Sequence, residues 1–337
     1  MSGNPLITPS PPSPSSSSLA ADDALQAFCL DNPNSPTCDN VSSFYEYWPD
    51  LAPNVIFLAL YAVSLVGFAT TWALTRRAGV FNGALILGLL CEVVGYAGRI
   101  MSSSNPWEQN GFMIQICCLT IGPAFMAAGC YLCLRRIVVA YGAENSRLRP
   151  EYYTRIFIPC DIISLVLQAT GGALASIAVQ DHESPDDGSH IMVAGLAFQV
   201  FTMLAFIAAS LDFVLRIRRR RKVLGAAALS QEPRMVRMRS ALRFRFFLGG
   251  LAVASVLILW RSCFRVAELS EGWSGPIMGD QAMFIGFEGV LVLVAAVVLN
   301  VLHPGLCARE LFEEPQPQGE GEKDMEEFAD ENGLTED

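Results

Sequence analysis

Residues 80–101 read VFNGALILGLLCEVVGYAGRIM, apolar enough for lipid yet carrying Glu92, Tyr96 and Arg99. A helix turns once per ~3.6 residues, so these three and Gly95 share one face. A charge at mid-bilayer costs roughly 2.5–3.5 kcal/mol on insertion scales and therefore faces protein or water. A second stripe is Asp161, Ser164 and Gln168, at offsets of three and seven, followed by Gly171 and Gly172. A third is Arg261, Arg265 and Glu268, while Glu288 stands in an otherwise apolar run. Two kinds of chemistry suit such groups. One is structural: ion pairs lock helices together, with Glu268 placed to pair with Arg265 along its helix or with Arg99 across the bundle. The other is a path for something polar or amphipathic. Carboxylates and amides at Glu92, Tyr96, Asp161, Ser164, Gln168 and Glu288 would receive an amine and hydroxyls. Arg99, Arg261, Arg265 and Glu268 would gate the path or hold its walls. Carboxyl groups inside spans also serve as proton relays, which makes Glu92 or Asp161 the candidate carrier if transport is driven by protons.

Several activities are disfavoured. No GxxxxGK[ST] run offers a phosphate loop, so no nucleotide is expected. His182 and His190 share the acidic stretch 181–190, and His303 stands apart. That set makes metal hydrolysis improbable, and neither metal nor cofactor is expected. The lysines are Lys222 and Lys323, neither within a span, which excludes a retinal Schiff base. The chain is read as a non-enzyme without nucleic-acid partners, and nothing in it fixes an oligomeric state. A seven-helix lipid sensor or receptor is the alternative to a transporter.

The elements that must position these groups follow from composition. Of 337 residues, 52% are hydrophobic and 17% charged. Soluble domains carry about 25% charged residues, so much of this surface is matched to lipid. Apolar windows of about 20 residues mark spanning helices. They fall at 54–74, 80–101, 111–134, 156–179, 191–215, 246–264 and 281–302, the sixth with Arg261 and Arg265 at its end. The expected fold is an all-α membrane protein, a seven-transmembrane helix bundle. Basic residues crowd the first, third and fifth connections: Arg76 and Arg77; Arg135 to Arg155; Arg216 to Arg245. Lys and Arg mark cytoplasmic loops, which places the N-terminus outside and the C-terminus in the cytoplasm. Arg99, Arg261 and Arg265 break this rule, near the outer ends of the second and sixth spans. The expected organisation is an extracellular disordered tail (1–53), a transmembrane domain (54–302) and an acidic cytoplasmic tail (303–337).

Residues 1–19 are Ser/Pro-rich, too poor in apolar groups to order themselves. Cys29 and Cys38 are a disulfide candidate, since an outer tail meets an oxidising compartment. Asn40 begins an Asn-Val-Ser sequon and is a glycosylation candidate. Tyr45, Tyr47 and Trp48 precede the first span, where aromatic rings settle at the membrane boundary or form a lip for substrate. Gly122-Pro123 kinks the third span. Arg216, Arg218, Arg219, Arg220, Arg221 and Lys222 fix topology and offer a contact for anionic inner-leaflet lipids, worth ~1 kcal/mol per basic residue near the surface.

Four motifs now stand in order: Glu92-x-x-Gly95-Tyr96-x-x-Arg99; Gly122-Pro123-Ala124 with Tyr131; Asp161-x-x-Ser164-x-x-x-Gln168-x-x-Gly171-Gly172; and Arg261-x-x-x-Arg265-x-x-Glu268 with Gly272, closed by His303-Pro304-Gly305. Together they resemble the fungal lipid-translocating exporter family, which includes the aminocholesterol-resistance-like proteins and the sphingoid long-chain base exporter. The resemblance covers about residues 47–305. It implies seven spans, a plasma-membrane or vacuolar-type location, and a role in lipid asymmetry, sphingoid-base export or resistance to amphipathic toxins. The chain departs from the family early in the seventh span. Asp280 or Gln281, Phe284 and Ile285 stand where members usually carry an acidic residue and a tyrosine, with Glu288 in place of a family aspartate.

Overall fold

The computed structural model describes residues 16–312 except 42, 44, 46, 181–183 and 273–278. Among the described residues the regular structure is entirely helical. A first helix, α1 (Ser16–Asp31), precedes α2 (Leu51–Thr75), α3 (Gly79–Ser104) and α4 (Gln109–Tyr141). The short α5 (Tyr152–Arg155) leads into α6 (Phe157–Gln180), then α7 (Asp186–Leu224), α8 (Pro233–Ser240) and α9 (Leu242–Ser270). The chain closes with α10 (Gln281–Phe284), a π-helical turn (Ile285–Val290), α11 (Leu291–Val301) and α12 (Pro304–Cys307).

Seven helices are long and apolar enough to cross a membrane, one for each expected window. Their outward faces are apolar: Val63, Val66, Phe201 and Trp260 are all exposed. In water such a surface would be an aggregation hazard; around a bundle of seven spans it is the lipid face. The chain is an integral multi-pass membrane protein.

Two expectations are corrected. The sixth span continues to Ser270, so Arg261 lies nine residues before its end (261 to 270) and inside the bundle. Leu269 is still apolar and buried, which extends the helix beyond the window that hydropathy alone marks. The N-terminal tail is also ordered in part. Residues 16–31 form a helix, as the Ala/Leu-rich run LAADDALQAF favours. A disulfide joins Cys29 to Cys38, with Cα atoms 5.7 Å apart. Asn40 ends a short 3-10 turn, Pro36–Asn40; its side chain and Ser42, the end of the sequon, lie outside the described residues. So do 1–15, His182 and 313–337.

The spans pair closely where small residues meet. A Cβ on Gly188 of α7 would lie 2.3 Å from the Ala175 nitrogen and 2.7 Å from the Gly171 oxygen, so only glycine lets α7 approach α6 this closely. The seam between α4 and α6 is sparse by comparison.

The end of the bundle that carries the basic loops is tied together by hydrogen bonds. Arg220 donates to Asn145 Oδ1 (2.8 Å), and Asp212 accepts from Arg216 (2.9 Å) and sits 3.3 Å from Arg147. The His303-Pro304-Gly305 motif belongs here. The Gly305 amide donates to His303 Nδ1 (3.0 Å), which leaves Nε2–H to donate to Asn82 Oδ1 (2.7 Å). Asn82 donates in turn to the Arg77 carbonyl (3.0 Å). The motif does more than stop a helix: it fastens the last span to the turn between α2 and α3.

Candidate functional site

Charges are buried inside the bundle, and most of them form a central row around Arg261. Three arginines and four carboxylates are buried: Arg99, Arg261, Arg265, Glu92, Asp161, Glu268 and Glu288. Arg261, on α9, is fully buried and makes two contacts. Its Nη2 pairs with Glu288 Oε1 and donates to the Leu119 carbonyl (2.6 Å). The second contact has a local cause. Pro123 has no N–H, so the carbonyl four residues earlier, Leu119, loses its partner within α4. Arg261 takes up the freed oxygen. Glu288 comes from the π-helical turn, a distortion that often marks functional sites. The Gly289 carbonyl in that turn accepts from Tyr61 (2.9 Å).

Glu92 lies beside this pair, and Arg261 and Glu288 are its charged neighbours. Its side chain rests on the residue before this proline: a Cβ on Gly122 would fall 2.5 Å from Glu92 Oε1. That oxygen has no hydrogen-bond partner, and neither has the Tyr96 hydroxyl or Glu288 Oε2. The Tyr96 ring stacks between Phe57 (5.3 Å) and Tyr61 (5.4 Å). The centre is thus a compact set of acids, phenols and one guanidinium with open acceptor and donor positions.

Toward the end away from the basic loops, Arg265 pairs with Glu268, three residues on. Arg99 does not pair with Glu268; this corrects the alternative of an ion pair across the bundle. It donates to Gln115 Oε1 (3.2 Å) and Tyr47 Oη (2.5 Å) and lies 3.8 Å over the Phe284 ring. A desolvated cation on an aromatic face gains about 2 kcal/mol. Phe284, where the resemblance leads one to expect a tyrosine early in the last span, provides that face. The space shared by Arg99, Arg265, Glu268 and these rings is only about 10 Å³, so these side chains leave little room between them.

The segment before α2 contributes to this packing. Tyr45 is buried rather than interfacial; its hydroxyl donates to Gln115 Oε1 (2.8 Å) and lies 2.9 Å from Ser102 Oγ. Burial pushes its phenol up to about 12, with the Ser102 hydrogen bond and the Arg99 charge opposing. Trp48 keeps an exposed ring and donates to the Ser103 carbonyl (2.8 Å), as a boundary residue does.

Asp161, Ser164 and Gln168 do not join this row. Ser164 turns back to the Asp161 carbonyl of its own helix (2.7 Å), and Gln168 donates to Gln199 of α7 (3.1 Å). Asp161 faces Tyr131 of α4 and has no hydrogen bond of normal geometry. The stripe is packed against α7 through Gly195, whose Cβ would meet Gln168 at 2.9 Å. The groups expected along one path thus fall into two sets, Glu92, Tyr96 and Glu288 beside Arg261, and Asp161 and Gln168 among α4, α6 and α7. Sequence reading missed Tyr61, Ser102, the Leu119 carbonyl and the burial of Tyr45. The proline at 123 does signal a freed oxygen at 119; nothing local signals who takes it.

A seven-span protein with paired buried charges and a proline inside its third span is the class these features define. The chain belongs to the RTA1-like protein family, which matches residues 85–311. It is 33% identical over 279 residues to the sphingoid long-chain base transporter RSB1 of Saccharomyces cerevisiae, covering 77% of this chain and 72% of that one. It is 29% identical over 294 residues to protein RTA1 of the same species, covering 80% and 87%. Protoporphyrin uptake protein 1, also from Saccharomyces cerevisiae, is 26% identical over 299 residues, covering 79% and 93%. No solved structure matches.

The pairing makes a specific prediction. Glu268→Gln strands Arg265 in a dry core and should cost about 3–5 kcal/mol, read as a fall in thermal unfolding midpoint in detergent. Reversing the local pair, Arg265→Glu with Glu268→Arg, should recover most of the loss, whereas Arg99→Glu with Glu268→Arg should not. Recovery by the second exchange alone would mean that Glu268 answers to Arg99.

Proposed function

We propose that this protein translocates amphipathic lipids across its membrane, with a sphingoid long-chain base or phospholipid as cargo and resistance to amphipathic toxins as the consequence. The observation that carries the reading is Glu92: a carboxyl at the centre of the spans with an open acceptor oxygen, beside an ion pair it can compete with. When Glu92 is ionised, Arg261 has two carboxylates to choose between; when it is neutral, it has one. That choice is a two-state element, and a proton or a cationic headgroup would bias it. The relatives support the class of cargo. One is named for a long-chain base and another for protoporphyrin, both amphipathic, so the family name leaves the headgroup open. The relatives' names also favour a non-enzyme.

The N-terminus lies outside and the basic loops in the cytoplasm, most naturally at the plasma membrane. Arg218, Arg219, Arg221 and Lys222 are exposed where α7 runs past the apolar span, and suit anionic headgroups. A protease added to intact cells should therefore remove an N-terminal tag; a tag cleaved only after permeabilisation would reverse the orientation.

Transport and lipid sensing separate in liposomes. Purified protein should move labelled sphingoid base or phospholipid between leaflets. Glu92→Gln should lower that flux by about an order of magnitude or more while leaving the protein folded. Normal flux in Glu92→Gln would remove Glu92 from the path. Ligand binding with no flux in the wild type would favour the sensor.

A further inference from the structure

The buried charges do not cancel everywhere. Arg99, Arg261 and Arg265 face Glu92, Glu268 and Glu288 in the central row, three against three. Asp161 is the fourth carboxylate. It is 4% exposed, both its oxygens lack a hydrogen-bond partner, and among the described residues no basic side chain pairs with it. Its polar neighbour is the neutral phenol of Tyr131. A carboxylate so placed calls for a cation.

One turn further along the same helix begins an apolar groove of about 150 Å³ in the sparse seam between α4 and α6. Leu165, Ala169, Gly172 and Ala173 line one wall, and Ile116 and Cys117 are on the other. From Leu165 to Ala173 is eight residues, about 12 Å of helix. Gln168 in its wall, itself 4% exposed, has an Oε1 without a hydrogen-bond partner. Asp161 lies in the second turn of α6, on the side of the basic loops, and the groove runs from mid-span toward the opposite end, where Met113 and Met192 line it.

We propose that the α4–α6 seam binds a single-chain cationic amphiphile, its ammonium paired with Asp161 and its alkyl chain in the groove beside Gln168. The groove's length takes part of one alkyl chain, and the lone carboxylate selects for an amine against an alcohol or an acid. Gln168, about 10 Å further along the helix (seven residues), offers the next acceptor for a headgroup that moves inward. The site is distinct from the Arg261 centre. It rests on the reading of the protein as a lipid translocator, and names where cargo enters from the bilayer.

Full-length protein in phosphatidylcholine nanodiscs provides the test, with radiolabelled octadecylamine as probe and octadecan-1-ol and octadecanoate as competitors. Octadecylamine should bind saturably and resist displacement by either competitor. Asp161→Asn should weaken octadecylamine binding about tenfold or more, as loss of a charge-assisted contact does. Ala169→Trp, which fills the groove, should do the same without touching the carboxylate. On the unaltered chain, octadecylamine bearing a mid-chain diazirine should crosslink to the segments 113–121 and 165–173. Equal binding of amine and alcohol, undiminished binding in Asp161→Asn, or crosslinks confined to other segments would each overturn the site. Flux in liposomes without amine binding at this seam would overturn the seam alone. Amine binding here without flux would overturn the transport reading and leave the seam standing.

Discussion

Arg261 imposes the constraint from which the rest of the bundle follows. A guanidinium cannot shed its proton in a protein, so burying it without partners is prohibitive. Its partners come from two other elements: the Glu288 carboxylate on the last span and the Leu119 carbonyl on α4. The second exists because Pro123 has opened the helix one turn further on. The proline, the π-helical turn and the arginine are thus one structural unit spread over three spans. The apolar packing between helices is non-directional and offers lipid tails nearly equal terms. The charges provide the directional part.

Glu92 adjoins the same unit. It rests against the segment at Gly122, within reach of the charge that holds the spans together. On the reading proposed above, a change in its ionisation would act on the Arg261–Glu288 contact, and so on the relation between α4, α9 and the last span. At the end away from the basic loops, Arg99 is held by Tyr47, Gln115 and the Phe284 ring, with Tyr45 hydrogen-bonded between α3 and α4. A sparsely packed seam lies between α4 and α6, where Asp161 stands without a cation.

Much of this was legible in the sequence, and the limits have physical causes. The spans show because lipid demands about 20 apolar residues in a row, a constraint local to each helix. The faces show because helical period alone places Glu92, Tyr96 and Arg99, or Arg261, Arg265 and Glu268, on one side. Which charge meets which does not show, since Arg261 and Glu288 are brought together only by the tertiary fold. Hydropathy ended the sixth span early because arginines lower it, although paired arginines sit comfortably inside. It likewise gave no reason to expect the burial of Tyr45, which depends on acceptors offered by α3 and α4. Asp161 and Glu92 looked alike as acids in polar stripes. They differ in what packs against them: the tight α6–α7 pair turns one stripe away from the other.

The most direct measurement is a double-mutant cycle on Arg261 and Glu288, using Arg261→Met and Glu288→Leu and reading unfolding free energy in a lipid-like micelle. Each single change should cost about 3–5 kcal/mol by stranding a buried charge, while the double change, with both charges gone, should retain most of the stability. A double variant that loses the sum of the two single costs would show that these residues do not hold each other, and that the bundle is organised around something else.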